Sequence, residues 1–76
     1  MLITARQIRM ARVALGWTQR ELADKCGLAV PTIARIELEL VDMRSSNANK
    51  IEQVFCEHGI GFALSGKMET VIFKGE

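Results

Sequence analysis

The side chains best able to attack a substrate or grip a soft metal are few: two cysteines, Cys26 and Cys56, and a single histidine, His58. Three such groups cannot complete the four-ligand set of a zinc site on one chain, and the cysteines show no C-x-x-C spacing. Cys56 and His58 stand two apart, so on a helix they point to different sides. No Ser/His/Asp or Cys/His arrangement and no glycine-rich phosphate loop is legible. The expectation is a non-enzymatic chain with no metal or cofactor, and with both cysteines serving as small apolar packing groups near helix ends.

The remaining chemistry is charge. From Met1 to Ile36 stand Arg6, Arg9, Arg12, Arg20, Lys25 and Arg35 against Glu21 and Asp24, a balance of +4. From Glu37 onward, Arg44, Lys50, Lys67 and Lys74 face seven acidic residues, a balance of −3. The overall +1 conceals this split. A basic half beside an acidic half suggests one surface for a polyanion and another for a different partner.

Elements must position these groups, and the length bounds what they can build. At 76 residues there is room for one domain, which buries only about 60% of its unfolded surface. A hydrophobic share of 49% against 25% charged residues is that of a folded chain rather than a disordered one. Arg6, Arg9 and Arg12 break the first apolar stretch, so neither a membrane helix nor a signal peptide is expected, and a cytoplasmic address is.

Thr4-Ala5-Arg6-Gln7 forms a capping box, opening a helix of about ten residues with Ile8, Ala11, Val13 and Leu15 as its apolar members and Gly16 to end it. Thr18-Gln19-Arg20-Glu21 repeats the box for a shorter helix through Leu22 and Ala23 to Cys26, stopped by Gly27. A third helix starts near Val30-Pro31, where the first turn tolerates proline, and Ile33, Ile36 and Leu22 form the seam between the two. After Glu37 the pattern loosens: either the third helix runs on for a turn, or a connection displays Leu38 and Leu40. Ser45-Ser46-Asn47 supplies a cap for a fourth helix carrying Ala48, Ile51, Val54 and Phe55 and closed by His58-Gly59. Two strands, Ile60 to Leu64 and Met68 to Phe73, flank Ser65-Gly66-Lys67. A lone hairpin is marginal in water, so this one must pack on the helices or pair with another chain.

Two short helices with Ala23 at their crossing and Gly27 in the turn fit a helix-turn-helix. Over Arg12–Ala23 (R-x-x-L-G-W-T-Q-x-E-L-A) and Gly27–Glu37 (G-L-x-x-x-T-I-A-R-I-E), the chain resembles the lambda repressor/Cro-type helix-turn-helix regulators, the XRE family. The resemblance reaches more loosely to about Phe55. It implies a mainly α, four-helix lambda-repressor-like DNA-binding domain over residues 1–59. The hairpin, residues 60–76, lies outside the family pattern and is a candidate dimerisation element, as are the leucines after Glu37; the alternative is that these residues close the monomer's own core.

The roles implied are particular. Gln19, at the N-terminus of the second helix, is expected from the resemblance to touch a phosphate and to brace the recognition helix; the free N–H groups there favour an anion in any case. Val30, Pro31, Thr32 and Arg35 fall on the exposed start and outer face of the recognition helix. Arg35 is the base-reading candidate, since a guanidinium can bond guanine O6 and N7 together. Val30 and Pro31 would meet thymine methyls, and Thr32 a phosphate or a base edge. Arg9, Arg20 and Arg44 are candidate phosphate contacts, together with Arg6 and Lys25. The blander roles are surface glutamine for Gln19, and phosphate clamp or surface ion pair for Arg35. Arg12 and Glu37 are expected to form a partly buried ion pair, and Trp17 to cover the junction of the first two helices. Three departures stand out: Ala29 where the family often has a Ser or Thr cap, Pro31 in the first turn, and Leu38-Glu39 in place of an Asn-Gly-like turn.

The expectation is therefore a sequence-specific, duplex-DNA-binding transcriptional regulator, acting as a homodimer on half-sites roughly 34 Å apart. The alternatives are an antitoxin that binds a toxin through its acidic half and represses its own operon, and a protein-interaction module that no longer reads DNA.

Overall fold

In the computed structural model, which describes residues 3–40, 45–65 and 68–73, four helices precede a two-stranded antiparallel hairpin. The helices are α1 (Ala5–Ala14), α2 (Gln19–Cys26), α3 (Val30–Glu37) and α4 (Ser45–Glu57). The strands are β1 (Ile60–Ser65) and β2 (Met68–Phe73), paired without a bulge from Ile60 opposite Phe73 to Ser65 opposite Met68. None of the described helices is long and apolar enough to cross a membrane.

Both capping boxes form. The Thr4 hydroxyl accepts from Gln7 N at 3.1 Å while Gln7 Oε1 accepts from Thr4 N at 3.0 Å, and Thr18 and Glu21 do the same at the start of α2. The Thr18 backbone N–H, followed by its hydroxyl, holds the Glu21 carboxyl below the ordinary carboxylate range. This cap therefore supports α2 at neutral pH and weakens as acid protonates Glu21.

Helices α1, α2 and α3 stop in the same way. Trp17 N donates to Arg12 O, Leu28 N to Ala23 O and Leu40 N to Arg35 O, each at 3.0 Å, the six-residue closure of a Schellman ending. Such an ending needs a left-handed residue just past the helix. Gly16 and Gly27 supply it at φ 73° and 70°, but after α3 the position falls to Glu39, at φ 59°. The third helix thus ends at Glu37 rather than running on, and Leu38 and Leu40 are exposed. The cap expected at Ser45–Asn47 lies inside α4, whose first residue is Ser45.

The core is built from all four helices and the hairpin: Ile8, Leu22, Ile33, Ile51, Phe55 and Ile60 are fully buried in it. Phe62 and Val71 pack against it from the two strands. Two expectations fail for reasons of helix phase. Val13 is exposed, because Gln7, Ile8 and Ala11 already define the inner face of α1. Cys56 is exposed because Phe55, its neighbour, takes the core position, whereas Cys26 is buried. Trp17, between α1 and α2, also stacks on Phe55 of α4 at 5.6 Å between centroids. Its ring also meets the edge of His58 at 4.8 Å and the Lys25 ammonium at 5.0 Å.

Gln7 has a second task that the sequence did not disclose. Fully buried, it donates from Nε2 to Ala63 O at 2.9 Å and to Thr70 O at 3.1 Å, so one amide joins α1 to both strands. Gln7→Leu, which keeps the volume and loses the donor and acceptor, is expected to destabilise the chain by about 2 kcal/mol. Urea denaturation with unchanged slope checks this.

The cysteines make a second test. Burial pushes the Cys26 thiol up to about 11, against a weaker opposing pull from Lys50. At pH 8 a thiol reagent is expected to label Cys56 in the native protein and Cys26 only after unfolding. The raised pKa also means that Cys26 favours the folded state below an ordinary thiol pKa of 9.0, a contribution lost as pH climbs toward about 11.

Candidate nucleic-acid interface

The interface is organised around a carboxylate that solvent does not reach. Glu37, the last residue of α3, is 2% exposed. Its Oε2 accepts from Arg12 Nε at 2.7 Å, and its Oε1 from Arg12 Nη2 at 3.1 Å and from Gln19 Nε2 at 3.1 Å. Arg12 Nη1 donates in addition to Trp17 O at 2.9 Å, and Arg9 Nη1 to the backbone oxygen of Glu37 at 2.7 Å. The expected Arg12–Glu37 pair is thus present and two-pronged, the geometry in which arginine holds a carboxylate best. Removing one partner would strand a desolvated charge, at a cost of about 3–5 kcal/mol.

This cluster fixes how α2 and α3 meet. Gln19 is the first residue of α2, and its amide is tied to the far end of α3, so the helix start faces outward in a set orientation. Ile33 and Ile36 are sunk in the core, which turns the opposite side of α3 to solvent. Pro31 and Arg35, four apart, share that exposed side. Thr32 is half-buried, and Val30 is half-buried with its side chain packed against the core, leaving only part of it to face a ligand. Arg20 is exposed on α2. Arg9 is half-buried and already bonded to Glu37 O, while Arg44 lies outside the described residues.

The bracing role expected of Gln19 is present in its bond to Glu37. The sequence does not disclose the second task of Arg9, a candidate phosphate contact, one of whose nitrogens serves the end of α3. Its partner is distant in sequence, and no local pattern announces such a pairing.

A sequence profile of the helix-turn-helix family matches residues 8–55, covering all of α2 and α3 and most of α1 and α4. No curated protein matches the chain. The chain belongs to the lambda repressor/Cro-type helix-turn-helix family of DNA-binding regulators.

The start of α3 departs from the family habit in a measurable way. Ala29 occupies the N-cap with extended backbone, φ −75° and ψ 146°, but offers no side-chain acceptor. Ala29→Ser is expected to add about 1 kcal/mol, and Glu39→Gly, relieving the left-handed glutamate at the other end, a similar amount. Thermal unfolding of the two variants and their combination checks this; the two positions stand at opposite ends of α3, so gains should be nearly additive.

Proposed function

We propose that the chain is a sequence-specific regulator of transcription that binds duplex DNA as a homodimer, each copy laying α3 in the major groove of one half-site. The observation that supports it most is the exposed Pro31–Arg35 side of α3, backed by core-anchored Ile33 and Ile36 and locked at its end by Glu37. A rigid helix with an exposed guanidinium is suited to bonding guanine O6 and N7 together. The N-terminus of α2, with Gln19 and Arg20, then lies against the phosphates, where free N–H groups and the helix dipole favour negative charge. Val30, Pro31 and Thr32 complete the contact with methyl groups, a base edge or a phosphate, and Arg44 adds to the backbone contacts.

Dimerisation follows from economy: one recognition helix spans few base pairs, and a two-fold site doubles the information. Fluorescence anisotropy with the chain's own upstream duplex and a shuffled duplex, at about 50 and 200 mM salt, tests the proposal. The expected result is tighter binding to the first and a steep loss with salt. Arg35→Ala should cost the specific duplex about ten- to a hundredfold and the shuffled one far less. Equal, weak binding to both duplexes would overturn the reading.

A further inference from the structure

Among the described residues, only Glu39 sets a side chain in the conformation that glycine adopts freely. It takes φ 59°, while the matching positions after α1 and α2 are Gly16 and Gly27. A left-handed residue with a side chain is strained, and such outliers gather where that side chain has a task. Glycine or asparagine would close the turn more readily. What glutamate adds is a carboxylate, and its place in the fold says what it acts on.

Two backbone bonds fix that place. Glu39 N donates to Ile36 O and Leu40 N to Arg35 O, both at 3.0 Å. Through the second bond, the Cα atoms of Arg35 and Glu39 are held within about 8 Å of each other. Both residues are exposed, and among the described residues no ion pair involves either one. The nearby acid Glu37 is already held by Arg12 and Gln19. The spacing is shorter than the Debye length of about 10 Å at 0.1 M salt, so the carboxylate acts on the guanidinium even without contact. Elsewhere the unit is balanced. From Gln19 to Leu40 the exposed cations are Arg20, Lys25 and Arg35, and the exposed anions are Glu21, Asp24 and Glu39. A surface without net charge has a weak general hold on DNA, so what each cation touches decides selectivity.

We infer that Glu39 is a specificity-determining residue that turns Arg35 toward guanine and away from phosphate. This rests on the regulator reading above and deepens it. A groove about 12 Å wide leaves little room beside a helix about 10 Å across, so Arg35 has phosphates as well as base edges within reach. Guanine O6 and N7 take two of the five guanidinium donors and bring no net charge. The Glu39 carboxylate then keeps its attraction to the same guanidinium and steadies it. A phosphate on Arg35 would instead bring a second anion beside the carboxylate, and the two repel. The base contact keeps the benefit of Glu39, whereas the phosphate contact is penalised by it.

Anisotropy of the full chain on its upstream duplex and the shuffled duplex at about 50 mM salt, with circular dichroism to confirm folding, provides the test. Glu39→Gln keeps the left-handed strain and removes the charge. It should bind the shuffled duplex about threefold tighter and the upstream duplex no tighter, so the preference between them falls about threefold. Glu39→Asp keeps a carboxylate and should keep the wild-type preference. Glu39→Gly should lose preference as Glu39→Gln does, although it relieves the strain. In an Arg35→Ala background, Glu39→Gln should leave the ratio between the duplexes unchanged. Equal tightening on both duplexes, an Asp variant that behaves like Gln, or a change of ratio that survives Arg35→Ala would each overturn the inference. Wild type settles the two readings apart. If it prefers its upstream duplex and Glu39→Gln keeps that preference in full, only the role of Glu39 falls. A wild type with no preference removes the regulator and the inference with it.

Discussion

A buried carboxylate tolerates only an arrangement that meets its lone pairs, and that of Glu37 brings three helices together. Arg12 reaches it from α1, Gln19 from the first residue of α2, and its own backbone places it at the end of α3. The desolvation of that charge is offset only when all three come together, so the helix-turn-helix is held by an interaction with a required geometry rather than by apolar contact alone. The apolar seam of Leu22, Ile33 and Ile36 supplies the drive to pack. The ion pair and its amide neighbour fix how α1, α2 and α3 meet.

The ends of α3 show where the chain departs from the easiest solution. Its first turn has an alanine cap and Pro31, which fixes φ without supplying an acceptor, and its last turn puts Glu39 in a conformation glycine adopts freely. Neither departure unseats the helix. The anchoring isoleucines and the Glu37 cluster lie between the two ends and hold it from inside, so the local preferences at both termini are overridden by tertiary packing.

That hierarchy explains what could be read from the sequence. Capping boxes at Thr4 and Thr18, the stops at Gly16 and Gly27 and the C-terminal hairpin are encoded within a few residues, and each forms where expected, save that the first strand runs on to Ser65 rather than ending at Leu64. The Arg12–Glu37 pair was accessible only through the family resemblance, since nothing local links residues 25 apart. Gln7 is the instructive miss. Its capping role is local and was legible, whereas its bonds to Ala63 and Thr70 span 56 and 63 residues. Val13 and Cys56 fall out of phase, two residues past Ala11 and one past Phe55 respectively, and composition gives no phase.

Helix α1 emerges as the part that relates the two ends of the molecule. Gln7 and Arg9 stand two residues apart, about 200° around the helix, and they bind opposite clients: Gln7 the hairpin, Arg9 together with Arg12 the end of α3. Arg12 lies about 7.5 Å further along the axis than Gln7. A shift of the hairpin against the recognition helix would therefore have to break either the amide bonds to both strands or the buried ion pair. The hairpin is held at a fixed offset from α3 by hydrogen bonds to a single rigid element. Whatever holds the hairpin therefore also constrains where α3 can sit.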